Sequence, residues 1–198
     1  MRKLVCTMFM AALIAGPVAA TAADLAPGVR GEIQSSMNEA GDKIMELAGA
    51  TPQAKYAWRP AKDVRSTSEV FLHVVQANYI IPMFLGFKPP LSMEELRTID
   101  KSTTDKGKIA QLLKDSYAFA NQSILGMSEA DLDAEADFFG KKMSKRAGLL
   151  VLASHSHEHL GQAIAYGRMN GVTPPWTARE KAEAAKKAME KKVVGAGH

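Results

Sequence analysis

The chain is poor in cysteine, with a single residue, Cys6, among its 198. Cys6 lies in the N-terminal segment "MRKLVCTMFMAALIAGPVAATAA", where Arg2 and Lys3 precede an apolar core and the small residues Ala20, Thr21 and Ala22 follow. That order is typical of a secretory signal, so residues 1–22 are predicted to be removed by cleavage after Ala22 or one residue later. The expected mature chain then has no cysteine, which excludes a thiol nucleophile and a structural disulfide of its own.

Long apolar runs and one-sided charge are also scarce beyond that segment. No later run approaches the length that a membrane span needs, so the mature protein is expected to be soluble, off the membrane, and secreted or periplasmic. The net charge of +4 falls to about +2 once Arg2 and Lys3 are removed, and the C-terminal tail mixes Lys with Glu. Because no basic stripe carries interleaved aromatic residues, the sequence gives little support to nucleic-acid binding.

Strand signals are few, whereas helical periodicity recurs four times, which predicts an all-α fold: a four-helix bundle with long interhelical connections. The second helix has the clearest start, because Ser66 and Glu69 form a capping-box pattern, and Pro82 is expected to kink or end it. The bundle is assigned to residues 23–176, and residues 177–198 are expected to be a charged, mobile tail. The predicted helices cover residues 29–50, 66–82, 104–126 and 144–170.

Three of the five histidines fall within five residues, at 155, 157 and 159. On a helix of about 100° per residue, His155 and His159 are one turn apart and point the same way, while His157 lies about 160° from either. The pair shares the bundle-facing stripe, a spacing by which a helix chelates one metal ion. His157 is predicted to be a surface residue.

His73 lies on the apolar face of the second helix, from which it could reach the same ion. Three imidazoles would leave coordination positions open for water or substrate. The alternative is that these are core histidines with satisfied hydrogen bonds.

Two further side chains are candidates for contacts that orient the ligands. Gln162 could donate or accept a hydrogen bond beside the site. Glu69 lies four residues before His73 and could orient its second nitrogen, although the capping box already gives Glu69 a structural role. Gly161 is interpreted as allowing a close helix approach. Glu158 is predicted to point away from the pair, so no general base is assigned and no catalytic residue is predicted.

Two stretches, "WRPAKDVRSTSEVFLHVVQANY" and "HSHEHLGQAIAYGRMNGVTPP", resemble the DinB-like superfamily. The resemblance implies a four-helix bundle, commonly dimeric, with a divalent metal held by His73, His155 and His159. Some relatives look like thiol-dependent transferases or isomerases with cytoplasmic cofactors, which an exported member less easily shares. Leu160 stands where the family often has arginine. The matching residues are Trp58, Pro60, Ser66, Glu69, His73, His155, His159, Gly161, Gln162, Arg168, Gly171, Pro174 and Pro175.

Two functions are compatible with this pattern. The first is an exported, metal-dependent hydrolase or transferase with an open tri-histidine site, and the alternative is a non-catalytic metal- or ligand-binding bundle. Zinc and nickel are the favoured ions, although three imidazoles also suit copper or iron. A small-molecule ligand and a second copy of the chain are the partners that this pattern allows.

Overall fold

Four long amphipathic segments form helices that bury their apolar faces against one another, which confirms the predicted four-helix bundle. The computed structural model describes residues 26–195 and the side chains of residues 26–191, so the predicted signal peptide lies outside it. Three short 3-10 turns and one small hairpin complete the connections. The helices are α1 (Gly28–Ala50), α2 (Thr67–Phe84), α3 (Met93–Thr98), α4 (Lys106–Leu125), α5 (Lys145–Met169) and α6 (Pro175–Gly195).

Polar side chains at the helix starts satisfy backbone N–H groups that have no partner within the helix. Ser66 accepts a hydrogen bond from the Glu69 amide and the Glu69 carboxylate accepts one from the Ser66 amide, so the predicted capping box is present at α2. Asp105 accepts a hydrogen bond from the Lys108 amide at the start of α4, and Ser144 accepts one from the Ala147 amide at the start of α5. These contacts fix where the two histidine-bearing helices, α2 and α5, begin.

Pro82 does not end α2, which continues for two more residues to Phe84. The proline lies in the last turn of the helix, where the loss of one backbone donor removes little of the hydrogen-bond ladder. Its carbonyl accepts hydrogen bonds from the amides of Leu85 and Phe87, which closes the helix end.

The bundle places α1 and α2 at opposite corners, because each of them packs chiefly against both α4 and α5. The core between them is mainly apolar and buried, with Tyr56 from the first connection inserted among the helices. Burying side chains of this size contributes about 1.5–3 kcal/mol each. The core is therefore sufficient to hold α2 and α5 side by side. Its largest side chains include Met37, Ile44, Leu47, Tyr56, Phe71, Leu72, Leu113 and Ile124.

The connection between α4 and α5 contains a hairpin that the sequence analysis did not predict. Strands β1 (Glu135–Phe138) and β2 (Lys141–Ser144) pair antiparallel, with Glu135 opposite Ser144. Both turn residues, Phe139 and Gly140, have positive φ, as a tight two-residue hairpin turn requires. Each strand has only four residues, which are too few for the alternation of apolar and polar residues in a strand to be recognised in the sequence.

The C-terminal segment, predicted to be a charged, mobile tail, contains a helix, α6, that begins at Pro175 after the end of α5 at Met169. Proline suits the first turn of a helix, because its missing N–H would have no partner there. The guanidinium of Arg179 pairs with Glu46 of α1 at 2.9 Å, while the later side chains that are described are exposed. Among the described residues, no helix has the length and apolar character that crossing a membrane requires.

Close helix approach occurs at a different glycine of α5 from the one predicted. A Cβ added at Gly148 would overlap the Cδ2 methyl of Leu85 and lie 3.3 Å from Leu85 Cγ. Gly161 is exposed and faces open space, with no described atom within 4 Å of an added Cβ. The interpretation of Gly161 as a contact glycine was therefore wrong.

Candidate metal centre

Three histidines converge where α2 packs against α5. His73 comes from α2, and His155 and His159 come from successive turns of α5. The centroids of their rings are 4.4–5.0 Å apart, and one nitrogen from each ring lies within 4.8 Å of the others. The Nε2 atoms of His73 and His155 are 3.3 Å apart. Packing of the two helices thus brings together the three residues that the sequence selected.

The environment of the cluster favours the neutral form of His73 and His155. His159 is buried, and His73 and His155 are half-buried. Burial, together with the neighbouring imidazoles and the Arg65 guanidinium, lowers the pKa of His155 to about 3. Burial and the same guanidinium also lower the pKa of His73. A neutral imidazole keeps the nitrogen lone pair that a metal ion requires.

A glutamine three residues after a histidine approaches its Nδ1 atom on each helix. Gln76 Oε1 lies 3.3 Å from His73 Nδ1, and Gln162 Oε1 lies 2.8 Å from His159 Nδ1. Each amide nitrogen has its own acceptor, the Leu96 carbonyl for Gln76 and the Tyr166 hydroxyl for Gln162, so each Oε1 faces its imidazole. An amide oxygen can only accept, which at His159 favours a proton on Nδ1 and a free lone pair on Nε2. At His73 the Arg65 guanidinium, a donor, lies 3.3 Å from the same Nδ1, so Gln76 and Arg65 favour opposite tautomers of that ring.

Gln162 was predicted beside the site, whereas Gln76 was missed. The signal that could have found it is the repeated His-x-x-Gln spacing in "HVVQ" and "HLGQ". Residues three apart lie on the same face of a helix, so a glutamine in that register reaches the histidine that precedes it.

Glu69 was predicted to orient His73, but its carboxylate forms hydrogen bonds with other residues. It accepts hydrogen bonds from the Ser66 amide at 2.7 Å and from the Arg59 guanidinium at 2.9 Å. The first of these bonds is the capping box, which requires the Glu69 side chain to turn back toward the helix start. Glu69 is therefore part of the helix cap and of an ion pair, and Gln76 is the described side-chain acceptor at His73.

His157 lies on the outer side of α5, as predicted. Its ring is exposed, and its Nε2 atom is 3.1 Å from Ser36 Oγ on α1. Glu158 is exposed as well. Leu160, the residue just before Gly161 and Gln162, is buried.

A polar cleft of about 910 Å³ lies beside the cluster. It reaches the histidines through two of its lining residues: Arg65, whose guanidinium lies 3.3 Å from His73 Nδ1, and Gln162, which contacts His159. A cavity of this size accommodates a small molecule. It is lined by Arg59, Lys62, Asp63, Val64, Arg65, Glu69, Asp100, Lys101 and Gln162.

The donor set fits a small divalent ion. Tetrahedral coordination with metal–nitrogen bonds of about 2.0–2.1 Å places two ligand nitrogens about 3.3 Å apart. The Nε2 atoms of His73 and His155 have that separation. The third imidazole is within reach, and the two glutamine oxygens orient the rings as acceptors do around metal-bound histidines.

The fold and the site together define a class: a helical bundle with three histidines from two helices converging beside a cleft. A profile of the DinB superfamily matches residues 37–163, more than half of the chain and including all three histidines. The chain belongs to the DinB superfamily, as its two motif stretches predicted.

Solved structures share the fold of this chain. A DinB-like protein from Bacillus cereus is 21% identical, with a TM-score of 0.65 over 74% of this chain and 95% of that one. A DinB-like protein from Bacillus subtilis is 23% identical, with a TM-score of 0.57 over 72% and 93%. A conserved protein from Enterococcus faecalis is 16% identical, with a TM-score of 0.62 over 72% and 97%. None of the curated proteins matches the chain in sequence.

Proposed function

We propose that the protein binds one divalent metal ion through His73, His155 and His159 and uses it as a metal-dependent hydrolase or transferase. The observation that carries this proposal is the 3.3 Å separation of two Nε2 atoms from different helices, with a third imidazole nitrogen within 4.8 Å. Zinc and nickel are the ions that three neutral imidazoles favour here.

The residues around the cluster have separate roles in this proposal. Gln76 and Gln162 hold the rings of His73 and His159 in the orientation that exposes Nε2. The adjoining cleft binds the substrate and brings its reacting group to the open side of the site. When bound, the ion supplies Lewis acidity toward a substrate oxygen.

A non-catalytic metal- or ligand-binding role is the second candidate, and one observation favours it. No carboxylate among the described residues hydrogen-bonds to an imidazole of the cluster, and Glu69, the acidic residue nearest in sequence to His73, is held by Ser66 and Arg59. A protein that only binds its ligand needs no general base.

Metal analysis of the protein purified without a histidine tag tests the site. We expect about one divalent ion per chain in the wild type and in His157→Ala, and loss of the ion in His73→Ala, His155→Ala and His159→Ala. His157→Ala is the matched control, because it removes an imidazole from the same helix. Full metal content in His73→Ala would contradict a site shared between α2 and α5.

Turnover assays separate the two candidates. The metal-loaded protein is assayed against ester, amide and thiol-transfer substrates, with His155→Ala as the control. Turnover that requires both metal and His155 supports an enzyme. A ligand that binds with no turnover supports the binding role.

We also propose that the protein is exported after removal of residues 1–22. The support is the order of basic residues, apolar core and small residues at the N-terminus. Mass analysis of the protein from a periplasmic or culture fraction is expected to give a chain that begins at Ala23 or Asp24. An uncleaved chain that stays in the cytoplasm would overturn this proposal.

A further inference from the structure

We propose that the cleft beside the histidines binds an oxyanion group of the ligand, a carboxylate or a phosphate, and that Arg65 is the residue that holds it once the metal is bound. This inference rests on the proposed metal site. It adds the chemical class of the ligand and a residue that recognises it.

Arg65 differs from its neighbour Arg59 in its partners. Arg59 is fixed, because its guanidinium donates to the Val64 carbonyl and to the Glu69 carboxylate. Arg65 forms no ion pair with any described residue, and its described side-chain contact is the one with His73 Nδ1. It is exposed and lines the cleft, so its donors are available to a ligand there.

The contact between Arg65 and His73 is incompatible with a metal on His73. A guanidinium can only donate, so it requires a lone pair on Nδ1. A metal on Nε2 leaves the proton on Nδ1, which then donates to Gln76 Oε1, the other neighbour of that nitrogen. Two donors would then face each other, so a metal bound at Nε2 would displace the guanidinium of Arg65 from Nδ1 and leave its donors free for the cleft that Arg65 lines.

The charges at the site favour an anion. Three neutral imidazoles leave the full positive charge of a divalent ion in place, since no carboxylate is among the ligands. In the cleft itself, Glu69 offsets Arg59. Three basic and two acidic residues make up the rest of the charged lining, so the net charge of the cleft is positive. These residues are Lys62, Arg65, Lys101, Asp63 and Asp100.

The geometry of the guanidinium indicates which anions fit. Its planar set of donors forms two parallel hydrogen bonds with a carboxylate or a phosphate, and such charge-assisted bonds are about twice as strong as neutral ones. Succinate serves as the probe for a carboxylate ligand, and inorganic phosphate serves as the probe for a phosphate ligand.

Calorimetric titration of the zinc-loaded protein with each probe tests the inference. We expect Arg65→Ala to weaken binding of at least one probe by about tenfold or more, with Arg65→Lys between Arg65→Ala and the wild type. Arg97→Ala is the matched control, because Arg97 is an exposed arginine that does not line the cleft. It is expected to bind as the wild type does. The probe that binds more tightly identifies the oxyanion.

The metal content of each sample separates the possible failures. A wild type that retains no metal would overturn the proposed function and this inference with it. A metal-loaded wild type that binds neither probe, or an Arg65→Ala variant that binds as tightly as the wild type, would overturn only the role of Arg65. Equal binding to the metal-free wild type would overturn the displacement of Arg65 by metal. The thermal unfolding midpoint of Arg65→Ala, expected to match the wild type, verifies its fold.

Discussion

The two sides of α5 carry the same residue type in opposite surroundings. On the inner side, His155 and His159 face α2 and lie within 5.0 Å of the His73 ring, measured between centroids. On the outer side, His157 is exposed, and its hydrogen-bond partner among the described side chains is Ser36. The comparison shows that the angular position of a histidine on the helix, rather than its membership of a cluster in the sequence, decides what it can do.

The glycines of α5 show the same contrast. Gly148 lies under Leu85 on the inner side, and Gly161 faces open space on the outer side. At position 148 the packing requires a residue without a side chain. At position 161 nothing requires one, and the glycine only weakens the helix. Substitutions on the two sides of α5 are therefore expected to have different consequences.

The largest expected difference concerns stability in the presence of metal. Zinc at about 100 times its dissociation constant should add about 2.7 kcal/mol to the free energy of unfolding of the wild type, which raises its thermal midpoint by about 5–10 °C. His157→Ala should respond equally, because its imidazole lies outside the site. His155→Ala should show no response. Differential scanning calorimetry with zinc and with a chelator measures each difference, and a lost response in His157→Ala would contradict the assignment of sides.

A smaller effect is expected when the orientation of a ligand is changed. Gln162→Leu removes the acceptor at His159 Nδ1 and should lower metal affinity by about 10- to 100-fold. Gln162→Glu keeps an acceptor at that position and should retain most of the affinity. Both variants remove the amide donor to Tyr166, so a purely structural role would affect them alike. Competition with a chromophoric chelator gives the affinities, and equal losses in the two variants would exclude the orienting role.

The sequence was sufficient for the four helices of the bundle and for the histidine cluster. The capping box at Ser66 and Glu69 and the steps of three and four apolar residues are local patterns, and α2 and α5 follow them closely. The pairing of His155 with His159 follows from helix geometry alone. His73 required one further assumption, that its helix packs beside α5, which the apolar face around His73 supported.

Contacts that depend on side-chain direction or on tertiary packing were beyond the sequence. Glu69 was in the right register for His73, but the cap and Arg59 compete for its carboxylate. Gly161 resembled a packing glycine, yet only the placement of α2 shows which side of α5 is covered. The hairpin before α5 was missed because its strands are too short for an alternating pattern to be distinguished.

The smallest expected effects come from the two glycines. Gly148→Ala should destabilise the protein by about 1–3 kcal/mol, because its Cβ would overlap Leu85, which is buried and cannot move away freely. Gly161→Ala should raise stability by up to about 1 kcal/mol, since alanine favours the helix and the added methyl group meets open space. Urea unfolding of the metal-free protein compares the two variants directly. A destabilised Gly161→Ala would mean that the outer side of α5 is covered in solution, by a second copy of the chain or another partner, and the distinction between the two sides would have to be redrawn.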